Sequence, residues 1–72
     1  MAKQPQLSVV IPFLDEAESL PELYAWIVRV LEDAALSFEL ILVDDGSTDT
    51  SWSWVKEIAA QDKRVHGIRF LR

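Results

Sequence analysis

The sequence contains no cysteine, which excludes a disulfide framework, a thiolate nucleophile and a cysteine-ligated metal. It has only 7 basic residues against 12 acidic ones, and the net charge of -5 argues against non-specific binding to nucleic acid. No apolar run approaches the roughly 20 residues that a membrane-spanning helix needs. With 72 residues, half of them hydrophobic, the chain is predicted to form at most one small globular domain.

The most informative stretch covers residues 40–49. Four apolar residues run directly into Asp44, Asp45 and Gly46, followed by hydroxyl-bearing residues. A continuous apolar run bounded by turn residues is typical of a strand that is buried on both faces, as in a parallel sheet. In open α/β sheets, ligands bind at the carboxyl ends of the strands, which is where the two acids fall. The same residues are also ordinary turn chemistry, so this stretch alone leaves both interpretations open.

Strands are predicted over residues 7–11, from 38 or 39 to 43, and over 65–71. Apolar residues at helical spacing predict a first helix from about 20 to 34 and a second from about 50 to 61. Pro12 is expected to end the first strand, because proline lacks the ladder donor. Ser19 and Glu22 fit a capping box at the start of the first helix.

The predicted order β-α-β-α-β favours parallel strands joined by right-handed crossovers. We therefore predict a three-layer α/β unit with strand order 3-2-1. In that order the carboxyl ends of the first two strands lie together. They bring residues 12–16 next to residues 44–47.

Several α/β functions lack their motifs in this chain. There is no G-x-G-x-x-G for a dinucleotide and no G-x-x-x-x-G-K-[ST] phosphate loop. In a D-x-D-G-T phosphatase motif, Val43 would stand at the position of the nucleophilic aspartate. A response-regulator receiver needs an aspartate at the end of its third strand, and this strand has none.

The remaining pattern is a carboxylate edge without a glycine-rich cradle. Carboxylates accept hydrogen bonds from the N–H groups of a base and from ribose hydroxyls. They repel phosphates unless a metal intervenes. The residues therefore favour recognition of the nucleoside end of a ligand, with its phosphates bound elsewhere.

Two segments resemble a known family. SVVIPFLDEAESLPEL at residues 8–23 is similar to the opening of the family-two glycosyltransferases, and LVDDGSTD at residues 42–49 is similar to their second signature. The branch most resembled transfers sugars to polyprenyl phosphates, as dolichyl-phosphate mannosyltransferase does. The resemblance covers nearly the whole chain but only the first part of the family's catalytic domain.

The resemblance implies a GT-A, Rossmann-like fold and a nucleotide-sugar donor. It places the base and ribose at Asp45 first and Asp44 second. The family usually has asparagine where this chain has Asp15, so any hydrogen bond donated by an amide there is lost. The predicted nucleotide-binding residues are Pro12, Phe13, Glu16, Asp44, Asp45, Gly46 and Ser47.

The resemblance also implies what a complete enzyme would contain. Its metal-binding Asp-x-Asp, catalytic base and acceptor site lie further along the chain than Arg72. Residues 1–72 are therefore expected to be a partial, amino-terminal domain, inactive alone and without catalytic residues, metal or cofactor. The complete enzyme would be an inverting transferase of cell-envelope polysaccharide synthesis, cytoplasmic or at the cytoplasmic face of the membrane. It would use Mg²⁺ or Mn²⁺, a UDP- or GDP-sugar and a polyprenyl-phosphate acceptor.

Two other functions stay open from the residues. The chain could be a non-catalytic α/β module whose acids serve turns and caps, or a phosphatase-like hydrolase. A separate expectation concerns the first strand, residues 7–11. At the edge of the sheet it would leave backbone groups open, and such an edge is a template for pairing with another chain. We therefore predict that the isolated chain is marginally stable and either self-associates through this strand or rearranges to shield it.

Overall fold

The computed structural model describes residues 4–71. Three strands and two helices alternate along the chain: β1 Leu7–Phe13, α1 Leu20–Asp33, β2 Phe38–Asp44, α2 Ser51–Gln61 and β3 Val65–Arg69. Both strand pairs are parallel and the sheet order is β1-β2-β3, with β2 in the centre. The predicted α/β class, element order and strand order are confirmed.

Both helices lie on the same face of the sheet. Val9, Leu40 and Val65 are register partners across the three strands, and all belong to one apolar cluster. Residues of α1 and of α2 pack into that same cluster. Two consecutive right-handed crossovers in one direction place both helices on one side of a sheet. Residues 4–71 therefore form two layers, and the predicted third layer is not among them.

Helix α2 covers the core as its apolar spacing predicts. Val55 is fully buried, and Trp52, Ile58 and Ala59 pack around it. Trp54 also contacts this cluster. Its ring meets Tyr24 of α1 edge to face, with centroids 5.8 Å apart, so an aromatic contact joins the two helices.

Helix α1 buries only part of its predicted apolar stripe. Leu20 is buried and Ile27 packs against the core, whereas Leu23 and Val30 remain 36% and 43% exposed. Leu23 lines a groove beside the edge strand β1. No other element of residues 4–71 covers the exposed part of the stripe. Within that range, neither helix combines the length and the apolar character that crossing a membrane requires.

Strand β1 runs two residues beyond its predicted end, because Pro12 lies inside the strand. The carbonyl of Phe13 accepts a hydrogen bond from the N–H of Asp45 at 3.0 Å, so Phe13 faces β2. Successive residues of a parallel strand bond to opposite sides, which turns Pro12 towards the open edge, where no donor is required. The N–H groups of Ser8 and Val10 have the same parity and also face the open edge.

The predicted capping box at Ser19 is wrong. Ser19 precedes α1 but already has helical backbone angles, φ -88° and ψ -28°, and its side chain makes no capping hydrogen bond. A serine cap needs an extended backbone to turn its oxygen towards the first turn. Here a backbone turn leads into the helix instead, with the N–H of Ser19 bonded to the carbonyl of Glu16 at 3.1 Å.

The carboxyl end of α1 places an alanine in a left-handed conformation. Ala35 has φ +57°. Its N–H bonds to Glu32 at 2.9 Å, and that of Leu36 bonds to Leu31 at 3.1 Å. This pair of bonds is a Schellman motif, in which glycine is the usual residue at the left-handed position.

Replacing Ala35 by glycine is expected to raise the free energy of unfolding by roughly 0.5–1 kcal/mol, since glycine adopts φ > 0 without a steric penalty. Urea denaturation measures the change. The matched control is Ala34→Gly, because Ala34 has φ -80° and gains nothing from glycine. That variant should be destabilised. Equal effects of the two substitutions would contradict this account.

A polar cluster connects α1 to the segment between α2 and β3. It lies at the end of the sheet opposite to Asp44 and Asp45. Arg64 contacts Asp62 through two side-chain nitrogens, each at 2.9 Å, and Glu32 at 3.0 Å, while its guanidinium lies 4.6 Å from the centre of the Phe38 ring. The hydrogen bonds from Arg64 hold the pKa of Asp62 well below its usual range. Burial, followed by the hydrogen bond to Asp62, raises the pKa of Tyr24 to about 12.

Candidate functional site

The carboxyl ends of β1 and β2 carry two loops that touch. The first loop comprises residues 14–19 and the second loop residues 45–50. Phe13 and Asp44, the last residues of the two strands, are register partners. The juxtaposition that the strand order predicts is therefore present, and the two acids of the second signature lie beside the first loop.

Hydrogen bonds between side chains and backbone join the two loops. Three successive N–H groups of the first loop each donate to an oxygen from the second loop or the start of α2: Asp15 to Ser47 Oγ at 2.8 Å, Glu16 to Ser51 Oγ at 3.0 Å, and Ala17 to Asp49 Oδ2 at 3.3 Å. Both serine side chains are buried. The N–H groups of residues 15–17 thus find their acceptors on residues that lie 32 to 35 positions further along the chain.

Asp15 makes the connection reciprocal. Its Oδ1 accepts the N–H groups of Thr48 at 2.8 Å and Asp49 at 3.2 Å. Asp15 itself has φ +50°, a left-handed conformation that aspartate and asparagine tolerate better than most residues. We call the hydrogen bonds between residues 15–17 and residues 47–51 the loop clip.

Asp44 shapes the turn that begins the second loop. It is fully buried, and its Oδ1 accepts the N–H groups of Gly46 at 3.0 Å and Ser47 at 2.6 Å. Its Oδ2 has no hydrogen-bond partner among residues 4–71. Gly46 has φ +97°, which glycine adopts without strain. Asp44 therefore stabilises the turn from inside.

The structure divides the predicted nucleotide-binding residues by exposure. Asp45, Glu16 and Pro12 are exposed, and Gly46 is half-buried. The side chain of Phe13 belongs to the core. The remaining two, Asp44 and Ser47, are buried and occupied in the turn and the loop clip. The contacts of all seven with a ligand remain a prediction.

A groove of about 440 Å³ lies beside the first loop. It is mostly apolar and is lined by Ile11, Pro12, Phe13, Leu14, Glu16, Ser19, Leu20 and Leu23. Of the predicted nucleotide-binding residues, those between Pro12 and Glu16 line the groove, and those between Asp44 and Ser47 do not. At this end of the sheet, the candidate ligand-binding surface therefore has two separate parts. One is the groove, and the other is the exposed residue Asp45.

A metal site made by protein side chains needs several acidic or histidine side chains close together. Within residues 4–71, no group of three or more histidine or acidic side chains could hold a metal ion. The carboxylates of Asp15, Asp44 and Asp49 accept hydrogen bonds within the two loops and the start of α2. Hydrogen bonds from Ser51, for example, hold the pKa of Asp49 below its ordinary value. The divalent metal implied by the family resemblance stays a prediction for the complete enzyme.

The structural roles of Asp15, Asp49 and Ser51 were not predicted from the sequence. Their partners lie 32 to 35 residues away, so no local pattern could assign them. The available signal was the asparagine that the family usually has at position 15, because asparagine and aspartate share an acceptor oxygen.

Comparison with known proteins shows the family of the chain. The family model described as glycosyl transferase family 2 matches residues 8–71, which include both loops and all five helices and strands except the first residue of β1. The chain belongs to glycosyl transferase family 2.

Two curated relatives carry the same name, undecaprenyl-phosphate 4-deoxy-4-formamido-L-arabinose transferase. The protein from Pseudomonas fluorescens (strain SBW25) is 45% identical over 56 residues, 78% of this chain and 16% of its own length. That from Proteus mirabilis (strain HI4320) is 44% identical over 64 residues, 88% of this chain and 20% of its own length. The chain thus spans about a fifth or less of these relatives.

Proposed function

We propose that this chain is the nucleoside-recognising part of a glycosyltransferase that moves a sugar from a nucleotide donor to a polyprenyl phosphate. The observation that carries the proposal is the exposed Asp45 at the carboxyl end of the central strand. The loop clip joins the loop that contains Asp45 to the first loop. A carboxylate in this position can accept hydrogen bonds from a base or from ribose hydroxyls.

The charges of the two loops favour the nucleoside over the phosphates. Neither loop contains a lysine or an arginine. Glu16 and Glu18 add negative charge to the first loop, and Asp45 adds negative charge to the second. Three successive backbone N–H groups would suit a phosphate, but those of residues 15–17 already donate to oxygen atoms of the chain itself. The diphosphate and any Mg²⁺ or Mn²⁺ would therefore be held by residues outside 4–71.

The relatives support the acceptor class. Both are named for transfer to undecaprenyl phosphate, a polyprenyl phosphate. This chain covers only their nucleotide-facing part by our proposal, so it supplies donor recognition, not acceptor binding or bond formation. Within the proposal, the donor is a UDP- or GDP-sugar, and the 72-residue chain alone has no transferase activity. Such an enzyme would work at the cytoplasmic face of the membrane, in synthesis of cell-envelope polysaccharide.

Replacing Asp45 by alanine is expected to weaken nucleotide binding by roughly ten- to a hundred-fold, because a hydrogen bond to a charged group is worth about 1.5–3 kcal/mol. Calorimetric titration with UDP and with GDP, in a full-length protein that contains this chain, measures the Kd. Asp44→Asn should have a smaller effect, since asparagine keeps the acceptor that holds the turn.

The matched control is Asp33→Ala, which removes the same charge from the last residue of α1, at the other end of the sheet. An unchanged Kd for Asp45→Ala would refute the proposed role. Absence of any nucleotide binding in the full-length protein would instead favour a non-catalytic α/β module. Release of phosphate from a generic aryl phosphate would favour the hydrolase alternative.

A further inference from the structure

The loop clip leads to an inference about Asp15 that rests on the proposed function. Asp15 lies in the first loop, yet its carboxylate Oδ1 accepts two N–H groups of the second loop, from Thr48 and Asp49. Its own N–H is bonded to Ser47 of that loop. Asp15 thus contacts the segment that follows Asp45 through both its side chain and its backbone.

The hydrogen bonds of the loop clip join the two loops directly. Each is exposed along much of its length, and neither belongs to a helix or strand. The N–H of Asp45 also donates to the carbonyl of Phe13, which joins the start of the second loop to the end of β1. Without the Asp15 carboxylate, the N–H groups of Thr48 and Asp49 lose their acceptor, and the second loop can move against the first.

We propose that Asp15 is a positioning residue for nucleotide binding: it fixes the second loop so that the Asp45 carboxylate and the first loop meet the nucleoside in one geometry. The property that matters is the acceptor oxygen at position 15, not its negative charge. An asparagine there would hold the same two N–H groups through its carbonyl oxygen.

Two substitutions separate the acceptor from the charge and from the backbone conformation. Asp15→Asn keeps the acceptor and removes the charge. Asp15→Gly tolerates φ +50° but removes the acceptor. We expect the Kd for UDP or GDP to stay within about twofold in Asp15→Asn, and to rise roughly tenfold in Asp15→Gly, since nucleotide binding would then have to order the second loop.

A readout without nucleotide accompanies the titration. In the ligand-free full-length protein, Asp15→Gly should speed amide exchange at Thr48 and Asp49, and Asp15→Asn should restore slow exchange. Equal losses of affinity in both variants would overturn the proposal, because charge would then be the cause. Faster exchange with unchanged affinity would also overturn it, leaving the clip a purely structural contact.

The design keeps this inference distinct from the proposed function. If Asp45→Ala leaves the Kd unchanged while Asp15→Gly raises it, the role of Asp45 fails, and Asp15 positions the loops for nucleotide binding without acting through the Asp45 carboxylate. If Asp45→Ala weakens binding while Asp15→Gly has no effect, the positioning role fails alone. If the wild-type protein binds neither nucleotide, both fail, and the exchange rates then describe only loop order.

Discussion

Replacing Gly67 by alanine is expected to lower the free energy of unfolding by roughly 1–3 kcal/mol, the usual range for overpacking a core. Gly67 lies in β3 on the face that α2 covers. A methyl group there would come within 2.6 Å of Val55 Cγ1 and 3.2 Å of two ring carbons of Trp52. Val55 is fully buried, so α2 would have to move away from the sheet.

Two further variants make this expectation specific. His66→Ala changes the adjacent residue, which is exposed on the other face of the sheet, and should alter stability by less than about 0.5 kcal/mol. Gly67→Ala should be less destabilising in a Val55→Ala background, because the closest clashing atom is gone. Strictly additive effects in urea denaturation would show that the contact with Val55 is not the cause.

Replacing Asp44 by alanine is expected to lower the free energy of unfolding by about 2 kcal/mol or more. The substitution removes the acceptor for the N–H groups of Gly46 and Ser47, and Ser47 is only 4% exposed. A buried donor that loses its acceptor costs about 1–3 kcal/mol. Thermal or urea unfolding of the 72-residue chain measures the difference.

The matched variant is Asp44→Asn. Its carbonyl oxygen can accept both N–H groups, and its amide nitrogen replaces Oδ2, the oxygen that has no partner among the described residues. This variant should be clearly more stable than Asp44→Ala. If the two are equally destabilised, the negative charge of Asp44, and not its position as an acceptor, stabilises the turn.

The architecture was predictable because it follows from patterns along the chain. Apolar spacing placed Val55 in the core, and the alternation of strands and helices set the strand order. The end of a strand and the start of a helix depend instead on orientation in space. Pro12 fits within β1 because its missing donor faces the open edge, and Ser19 fails as a cap because its backbone is already helical.

The candidate site was predictable in position but not in the division of work among its residues. Asp44 and Asp45 are adjacent in sequence, yet one is fully buried in the turn and the other is exposed. Strand alternation turns neighbours to opposite faces, and the continuous apolar run before Asp44 does not show which face the two helices cover. Asp15 could not be assigned from the sequence because its partners lie 33 and 34 residues away.

The expected self-association through β1 remains a prediction, and the structure specifies which backbone groups it would use. Alternate residues of β1 bond to β2, so Val9 and Ile11 are paired within the sheet whatever happens at the edge. Ser8 and Val10 carry the N–H groups that face outward. Sedimentation at increasing concentration, with amide exchange at Ser8 and Val10, would detect pairing with a second chain.

The long sequence separation within the loop clip has a consequence for the order of folding. Its hydrogen bonds join residues 32 to 35 positions apart, so they gain nothing until α1 has formed and β2 has paired with β1. The clip should therefore form after the folding transition state, with φ-values near zero for substitutions at Ser47 and Ser51. The surface proposed to meet the nucleotide would be the last part of the chain to become ordered and, by the same reasoning, the first to open.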